Sequence, residues 1–304
     1  MTTTTRTSRR RATVVLAALG IYIGVLGLFA LSLVTMLDAA AGGGAGLFGA
    51  RVAIVDLEGI IVNVDELLQE LRTYRDSPAI RAVVIRINSP GGVVAPTQEI
   101  HDALKRVRAA GKPVVASLGA VAASGGYYAA VAADRIYASP GSLTGSIGVI
   151  MQLANIEALM KKVGVDYVVV KAGQFKDVGN FARAMTPEER RVLQGLLDDV
   201  HGQFIDAVAA GRGLDRGEVV RFADGRVFSG AQAKQLRMVD ALGGLEDAID
   251  AAATLAGLPT PPRTVGPRRR FSLVDLIRNQ IGLGGLDGFR PHLPVFKTPL
   301  YLMD

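Results

Sequence analysis

Ala82-Val83-Val84-Ile85-Arg86-Ile87-Asn88-Ser89-Pro90-Gly91-Gly92 is the stretch from which the fold is read. Its first six residues form a β-branched apolar run, and the run stops at a Pro-Gly-Gly punctuation. A second apolar run, Arg51 to Gly59, precedes it, and a third, Lys112 to Leu118, follows. Between these runs the period changes from 2 to 3.6. Asp65 to Arg75 places Leu67, Leu68 and Leu71 on one helical face, and Ile100, Leu104 and Val107 do the same after the Gly-Gly. Strands alternating with helices imply an α/β domain with a mostly parallel sheet.

The pattern continues downstream. Arg135 to Ala138 reads as a short strand, Gly141 to Gly148 as a glycine-punctuated turn region, Ile156 to Val163 as a helix and Tyr167 to Lys171 as a strand. Thr186-Pro187-Glu188-Glu189 has N-cap, N1 and N3 chemistry for a long helix. Gly225 to Leu242 reads as turn, helix and short strand, and Glu246 to Ala256 as a helix ending at Gly257. Beyond Pro259 the character changes to prolines, an arginine cluster and an amphipathic Phe271 to Ile281.

Residues 12–37 carry no charge. As a helix they cover roughly 39 Å, enough to cross a hydrocarbon layer of about 30 Å with tilt. Arg6, Arg9, Arg10 and Arg11 precede them and Asp38 follows, which places the amino terminus in the cytoplasm and the rest outside. A cleaved signal peptide is the competing reading, with Ala39-Ala40-Ala41 as its small residues. Its apolar core usually runs about 7–15 residues, so an uncleaved anchor fits better. The expected organisation is a basic segment (1–11), a membrane span (12–37), a Gly-rich tether (38–50), a catalytic domain (51–259) and a tail (260–304).

The net charge of +6 is matched by arginines near the two ends, without aromatic residues interleaved to stack bases, which argues against nucleic-acid binding. The absence of cysteine excludes disulfides and thiolate chemistry. His101, His201 and His292 show no metal-ligand spacing, and no cofactor is expected.

The chemistry concentrates around Ser124, in Ala122-Ala123-Ser124-Gly125-Gly126-Tyr127-Tyr128. Small neighbours let a substrate backbone approach, and glycine tolerates a turn that exposes a hydroxyl. The Pro90-Gly91-Gly92 turn, read as leading from strand to helix, offers backbone N–H groups to an oxyanion. The N–H of Ser124 itself or of Gly125 is the second candidate donor. No histidine stands where it would serve as base, and His101 reads as a surface or helix-packing residue. A Ser-Lys dyad is the remaining class. By residues alone Lys176 is not separable from Lys171, Lys161 or Lys162.

The order of NSPGG (88–92), AASGGYY (122–128), GSLTGSIGV (141–149), GQFKD (173–177) and GRVFSGAQA (225–233) resembles the bacterial signal peptide peptidase A (protease IV) family in its short form. The likeness runs from about Arg51 to Ala256. The resemblance implies a Clp-protease/crotonase-like fold of repeated ββα units. It also implies a nucleophile at Ser124, a general base at Lys176, oxyanion donors at Gly91 and Gly125, and a lysine-orienting hydroxyl at Ser146. It further implies a homo-octamer or other ring on the membrane surface, serine and lysine from adjacent protomers, and remnant signal peptides and other hydrophobic or unfolded peptides as substrates. The alternatives are a related Ser-Lys membrane peptidase acting on stomatin-like proteins, a crotonase-like acyl-CoA enzyme, for which an outside location supplies no CoA, and a non-catalytic ring scaffold.

Overall fold

The computed structural model describes residue 16, residues 18–33, residues 49–266 and residues 300–302. It divides into two units, Met1–Ala50 and Arg51–Asp304. In the first unit, residues 18–33 form helix α1, with its side chains exposed. Among the described residues no helix is long and apolar enough to cross a membrane. The expected span 12–37 extends past the described helix at both ends. The basic segment lies outside the described residues, as do all but the last two residues of the tether and the expected helix at Phe271 to Ile281.

In the second unit β1 (Arg51–Ile61), α2 (Asp65–Asp76), β2 (Ile80–Val93), α3 (Val94–Ala109) and β3 (Val114–Ala123) alternate as the periodicity predicts. β1, β2 and β3 lie side by side in parallel. Odd and even positions of β2 enter different cores. Val83, Ile85 and Ile87 join the larger cluster, and Ala82 and Val84 join the smaller one, which includes Ala248, Ile249, Ala252 and Ala253 of α9 (Leu245–Leu255). A strand covered on both faces needs an unbroken apolar run, which is why AVVI shows no polar alternation. Each fully buried Val or Ile contributes about 1.5–3 kcal/mol of transfer free energy.

β3 forks the sheet. Val115 to Leu118 pair with β4 (Arg135–Ala138), and Val121 to Ala123 pair with β5 (Leu143–Gly145). β5 is held beside β3 by Thr144 Oγ1, which donates to the Ala122 carbonyl at 2.7 Å. The sheet order is β6-β5-β3-β2-β1-β8, with β6 at Val227–Ser229 and β8 at Thr264–Val265. β7 (Ala241–Leu242) extends β4. Two pairings are antiparallel: β5 with β6, and β2 with β9 (Leu300–Leu302).

Three local readings need correction. NSPGG is not a strand-to-helix turn. β2 runs through it to Val93, because after a register shift Gly91 and Gly92 pair with Ile60 and Ile61 of β1. A Cβ on Gly92 would lie 2.1 Å from the Ile61 carbonyl oxygen, so only glycine lets the two backbones pair this closely. Leu143–Gly145, inside the expected turn region, is a short strand held by its pairing with Val121 to Ala123. Tyr167 to Lys171 is not a strand, for it has no ladder partner among the described residues, and Val168 and Val170 are 82% and 96% exposed.

Helix α5 (Glu157–Val163) and the long α6 (Pro187–Arg212) bracket this segment. The α6 capping box forms as its sequence predicts. Thr186 Oγ1 accepts from the Glu189 N–H at 3.2 Å, and Glu189 Oε2 accepts from the Thr186 N–H at 2.9 Å.

Candidate active site

Ser124 stands where β3 ends and the short helix α4 (Gly125–Ala130) begins. Its φ is 52° and its ψ −118°, a conformation that suits glycine and costs another residue about 1–3 kcal/mol. The surroundings enforce it. The Ser124 N–H donates to the Gly145 carbonyl at 2.8 Å, and the Tyr128 N–H donates to the Ser124 carbonyl at 2.8 Å. Tyr127 is fully buried and donates its hydroxyl to the Met238 carbonyl at 2.9 Å. Tyr128 packs between the rings of His101 and Phe204, at 5.1 and 5.0 Å between centroids. The two tyrosines thus pin α4, and α4 pins the serine.

Ser124 is fully buried, and its Oγ has no hydrogen-bond partner among the described residues. A buried hydroxyl without a partner forgoes a contact that buried polar groups ordinarily make. An approaching electrophile and a base would supply what is missing.

Gly125 closes on the β2 edge. A Cβ there would lie 2.8 Å from Thr97 Oγ1, 3.2 Å from Gly91 Cα and 3.3 Å from the Gly92 nitrogen. The two glycines expected as oxyanion donors are therefore neighbours across a gap that excludes a methyl group. Gly91 has φ 108°, and its N–H donates to Ser89 Oγ at 3.1 Å. Ser89 is fully buried and accepts that N–H, a contact the sequence reading did not assign. The Ser124 N–H is likewise engaged, by the Gly145 carbonyl.

Ser146 follows Gly145 with φ 50° and is 6% exposed, and its N–H donates to the Arg226 carbonyl at 2.8 Å. Ser124, Gly91, Gly125 and Ser146 thus gather at the carboxyl ends of β2, β3 and β5, the end at which open α/β sheets place ligands.

Lys176 does not join them within the chain. It is exposed, on a turn whose backbone bonds run from Lys176 N–H to the Gly173 carbonyl (3.2 Å) and from Asn180 N–H to the Asp177 carbonyl (3.0 Å). His101 is a packing residue, as expected. It is 9% exposed, burial pushes its pKa below the usual imidazole value, and its Nδ1 lies 3.1 Å from Asp102. Among the described residues no cluster of His, Asp or Glu could hold a metal ion.

Comparison with known proteins agrees with this geometry. The family model for Peptidase family S49 matches residues 106–259, half of the chain, and that for Clp protease matches residues 63–144. A protein of Synechocystis sp. named as a candidate protease is 46% identical over 68% of this chain and 75% of its own length. Protease 4 of Salmonella typhi is 37% identical over 71% of this chain, and the match spans 35% of that longer protein. A candidate signal peptide peptidase SppA of Enterococcus faecium is 34% identical over 62% of this chain and 55% of its own length. A buried, strained serine above paired glycines, set in a parallel sheet whose sequence follows these relatives, has one reading: the chain belongs to peptidase family S49 and is a serine peptidase of the signal peptide peptidase A family.

Proposed function

We propose that this peptidase is a membrane-anchored endopeptidase working through a Ser-Lys dyad. Ser124 is its nucleophile, Lys176 its general base, Gly91 and Gly125 its oxyanion donors, and Ser146 the residue that orients the lysine amine. The observation that carries the reading is the buried Ser124 Oγ, without a hydrogen-bond partner among the described residues, beside Gly125, which closes on Gly91. The neutral amine of Lys176 takes the Ser124 proton as Oγ attacks a peptide carbonyl. The oxyanion rests on the two glycine N–H groups, and the lysine returns the proton to the leaving amine. Water then cleaves the acyl-enzyme by the same route.

The reading includes a shared site. Lys176 rides on an arm whose Val168, Val170 and Leu159 are exposed, and Tyr167 to Lys171 has no strand partner among the described residues. A neighbouring copy in a homo-octamer or similar ring would cover those side chains and receive the lysine at its own serine. Substrates would bind as extended strands against Gly91–Val93. That edge already accepts β9 in antiparallel register, Gly91 with Leu302 and Val93 with Leu300, so it is built for strand addition. Remnant signal peptides and other hydrophobic or unfolded peptides suit this mode. Residues 12–37 would hold the domain on the outer face of the cell membrane, where such peptides emerge.

The test is labelling of the full chain with a fluorophosphonate, mapped by peptide mass, beside Ser124→Ala and Lys176→Ala. The label should sit on Ser124 and vanish in both variants. Mixing the two inactive variants should restore turnover if neighbours share a site. Full peptidase activity in Lys176→Ala would refute the dyad.

A further inference from the structure

The turn that carries Lys176 is tied down by charged groups that the dyad itself does not use. Asp177 follows the lysine directly, and its side chain is 13% exposed. Its carboxylate accepts from Lys171 Nζ, from Arg183 Nε at 3.1 Å and Nη2 at 3.0 Å, and from Asn180 Nδ2 at 3.4 Å. Arg183 then forks onto a second carboxylate, with Nη1 donating to Glu189 Oε2 at 2.9 Å and Nη2 to Glu189 Oε1. Glu189 is 3% exposed and belongs to the capping box that starts α6. Through Val200, Phe204, Ile205 and Val208, α6 is seated in the core.

A continuous chain therefore runs from the residue beside Lys176, through one guanidinium, to the first turn of a core helix. Two cations and two carboxylates make the network neutral, and a planar fork fixes two carboxylates with a rigidity that a flexible ammonium lacks. The charges respond accordingly. The Lys171 bond holds the Asp177 carboxyl far below the usual carboxylate range, and the Arg183 bond holds Glu189 down to about 2. The arm's other ties are fewer: Ile156 N–H to the Phe181 carbonyl at 2.8 Å, and Ala184 N–H to Glu157 at 3.1 Å.

We propose that Arg183 is a positioning residue for Lys176, clamping the lysine turn to the start of α6 so that the amine reaches serine in one geometry. The proposal rests on the Ser-Lys reading above. Lysine has a long flexible stem, and misplacing a catalytic group by about 1 Å can cost on the order of 100-fold in rate. Without the clamp the substrate groove is intact and the base is not held.

The experiment compares wild type, Arg183→Gln, Glu189→Gln, the double variant and Lys176→Ala, all as full chains, on one fluorogenic peptide. Glu189→Gln is informative because glutamine still serves a capping box while the ion pair is lost. Each single variant should lower kcat by about 10- to 100-fold with KM within about twofold. The double variant should be no worse than either single one, because both remove the same link. Each variant should keep the wild-type assembly size and stay folded at the assay temperature, with a lowered melting temperature because a stabilising ion pair is lost. Unchanged kcat in Arg183→Gln and Glu189→Gln, with Lys176→Ala inactive, would overturn the clamp and leave the dyad standing. An active Lys176→Ala would overturn the dyad and the clamp with it. Additive losses, or losses that track a drop in assembly size, would make Arg183 a structural residue only.

Discussion

Ser124 and Ser146 leave two adjacent parallel strands at the same level, one residue beyond the paired Ala123 and Gly145, with φ of 52° and 50°. Both are non-glycine residues held in a left-handed conformation, and the Ser124 N–H is fastened to the carbonyl between Thr144 and Ser146, that of Gly145. Strain of this kind persists only where the surroundings over-determine it. Here the fork of β3 supplies the constraint, since β5 pairs only with the last three residues before the serine.

Ser124→Gly should separate stability from activity. Glycine adopts φ 52° without penalty, so release of strain, less the entropy glycine adds to the unfolded chain, should stabilise by about 1 kcal/mol. That corresponds to a rise of roughly 2–4 °C in melting temperature. Ser124→Ala keeps the strain and should melt near wild type. Both should lack turnover. Calorimetry of the two variants side by side is the check, and a glycine variant no more stable than the alanine one would contradict the strain.

Gly125→Ala should damage the oxyanion site without unfolding the domain. The new methyl group would press on Thr97 Oγ1 and on Gly91, moving one donor away from the other. Loss of an oxyanion donor costs about 10²- to 10³-fold in kcat. Kinetics with far-ultraviolet circular dichroism would show a folded protein with that deficit. Wild-type kcat would mean that Gly125 is not a donor.

Acid should loosen the lysine arm before the core. Glu189 titrates at about 2 in the folded chain, against 4.5 ordinarily, because Arg183 stabilises its charged form. A folded value below the unfolded one means that the stabilisation is complete above about pH 4.5 and is lost as pH falls toward 2. Asp177 shifts in the same direction, through Lys171 first and Arg183 after. Pepsin cleavage between residues 171 and 186 should therefore increase from pH 4.5 to 2.5, relative to Arg183→Gln, in which the clamp is absent throughout. A constant ratio between the two proteins would count against the clamp's contribution.

Truncation before Leu300 should raise affinity for substrate. β9 occupies the Gly91–Val93 edge, and a segment of the same chain competes at an effective concentration that reaches the millimolar range. Its removal should lower KM for a short peptide by about threefold or more and leave kcat near wild type. Steady-state kinetics of the truncated and full chains would decide it, and an unchanged KM would mean that the strand and the substrate use different edges.

The strand-to-helix turn at Ser124 was legible because its requirements are local. Ser124 among Ala and Gly, after an apolar strand, describes a turn that neighbouring residues build. The α6 cap was legible for the same reason, since Thr186 and Glu189 need only each other. Tyr167 to Lys171 misled because β-branched residues favour extended backbone, but a ladder needs a partner, and none lies among the described residues. NSPGG misled because Pro-Gly-Gly usually ends a strand. Here it continues one, as Gly92 permits close pairing with Ile61. Ser89 and Arg183 carried no signal in sequence, because a hydroxyl beside a glycine and an arginine in a loop are ordinary until their partners are seen.

Sequence by itself determined the strand–helix alternation, the mostly parallel sheet and the small-residue turn that holds Ser124. Hydrophobic periodicity and small-residue turns are properties of neighbours along the chain. Only the tertiary structure decided that Gly125 closes on Gly91, that two serines share one strained level, and that Lys176 stands on an exposed turn. Those relations depend on residues tens of positions apart, brought together by sheet pairing and by ion pairs whose partners no local pattern names.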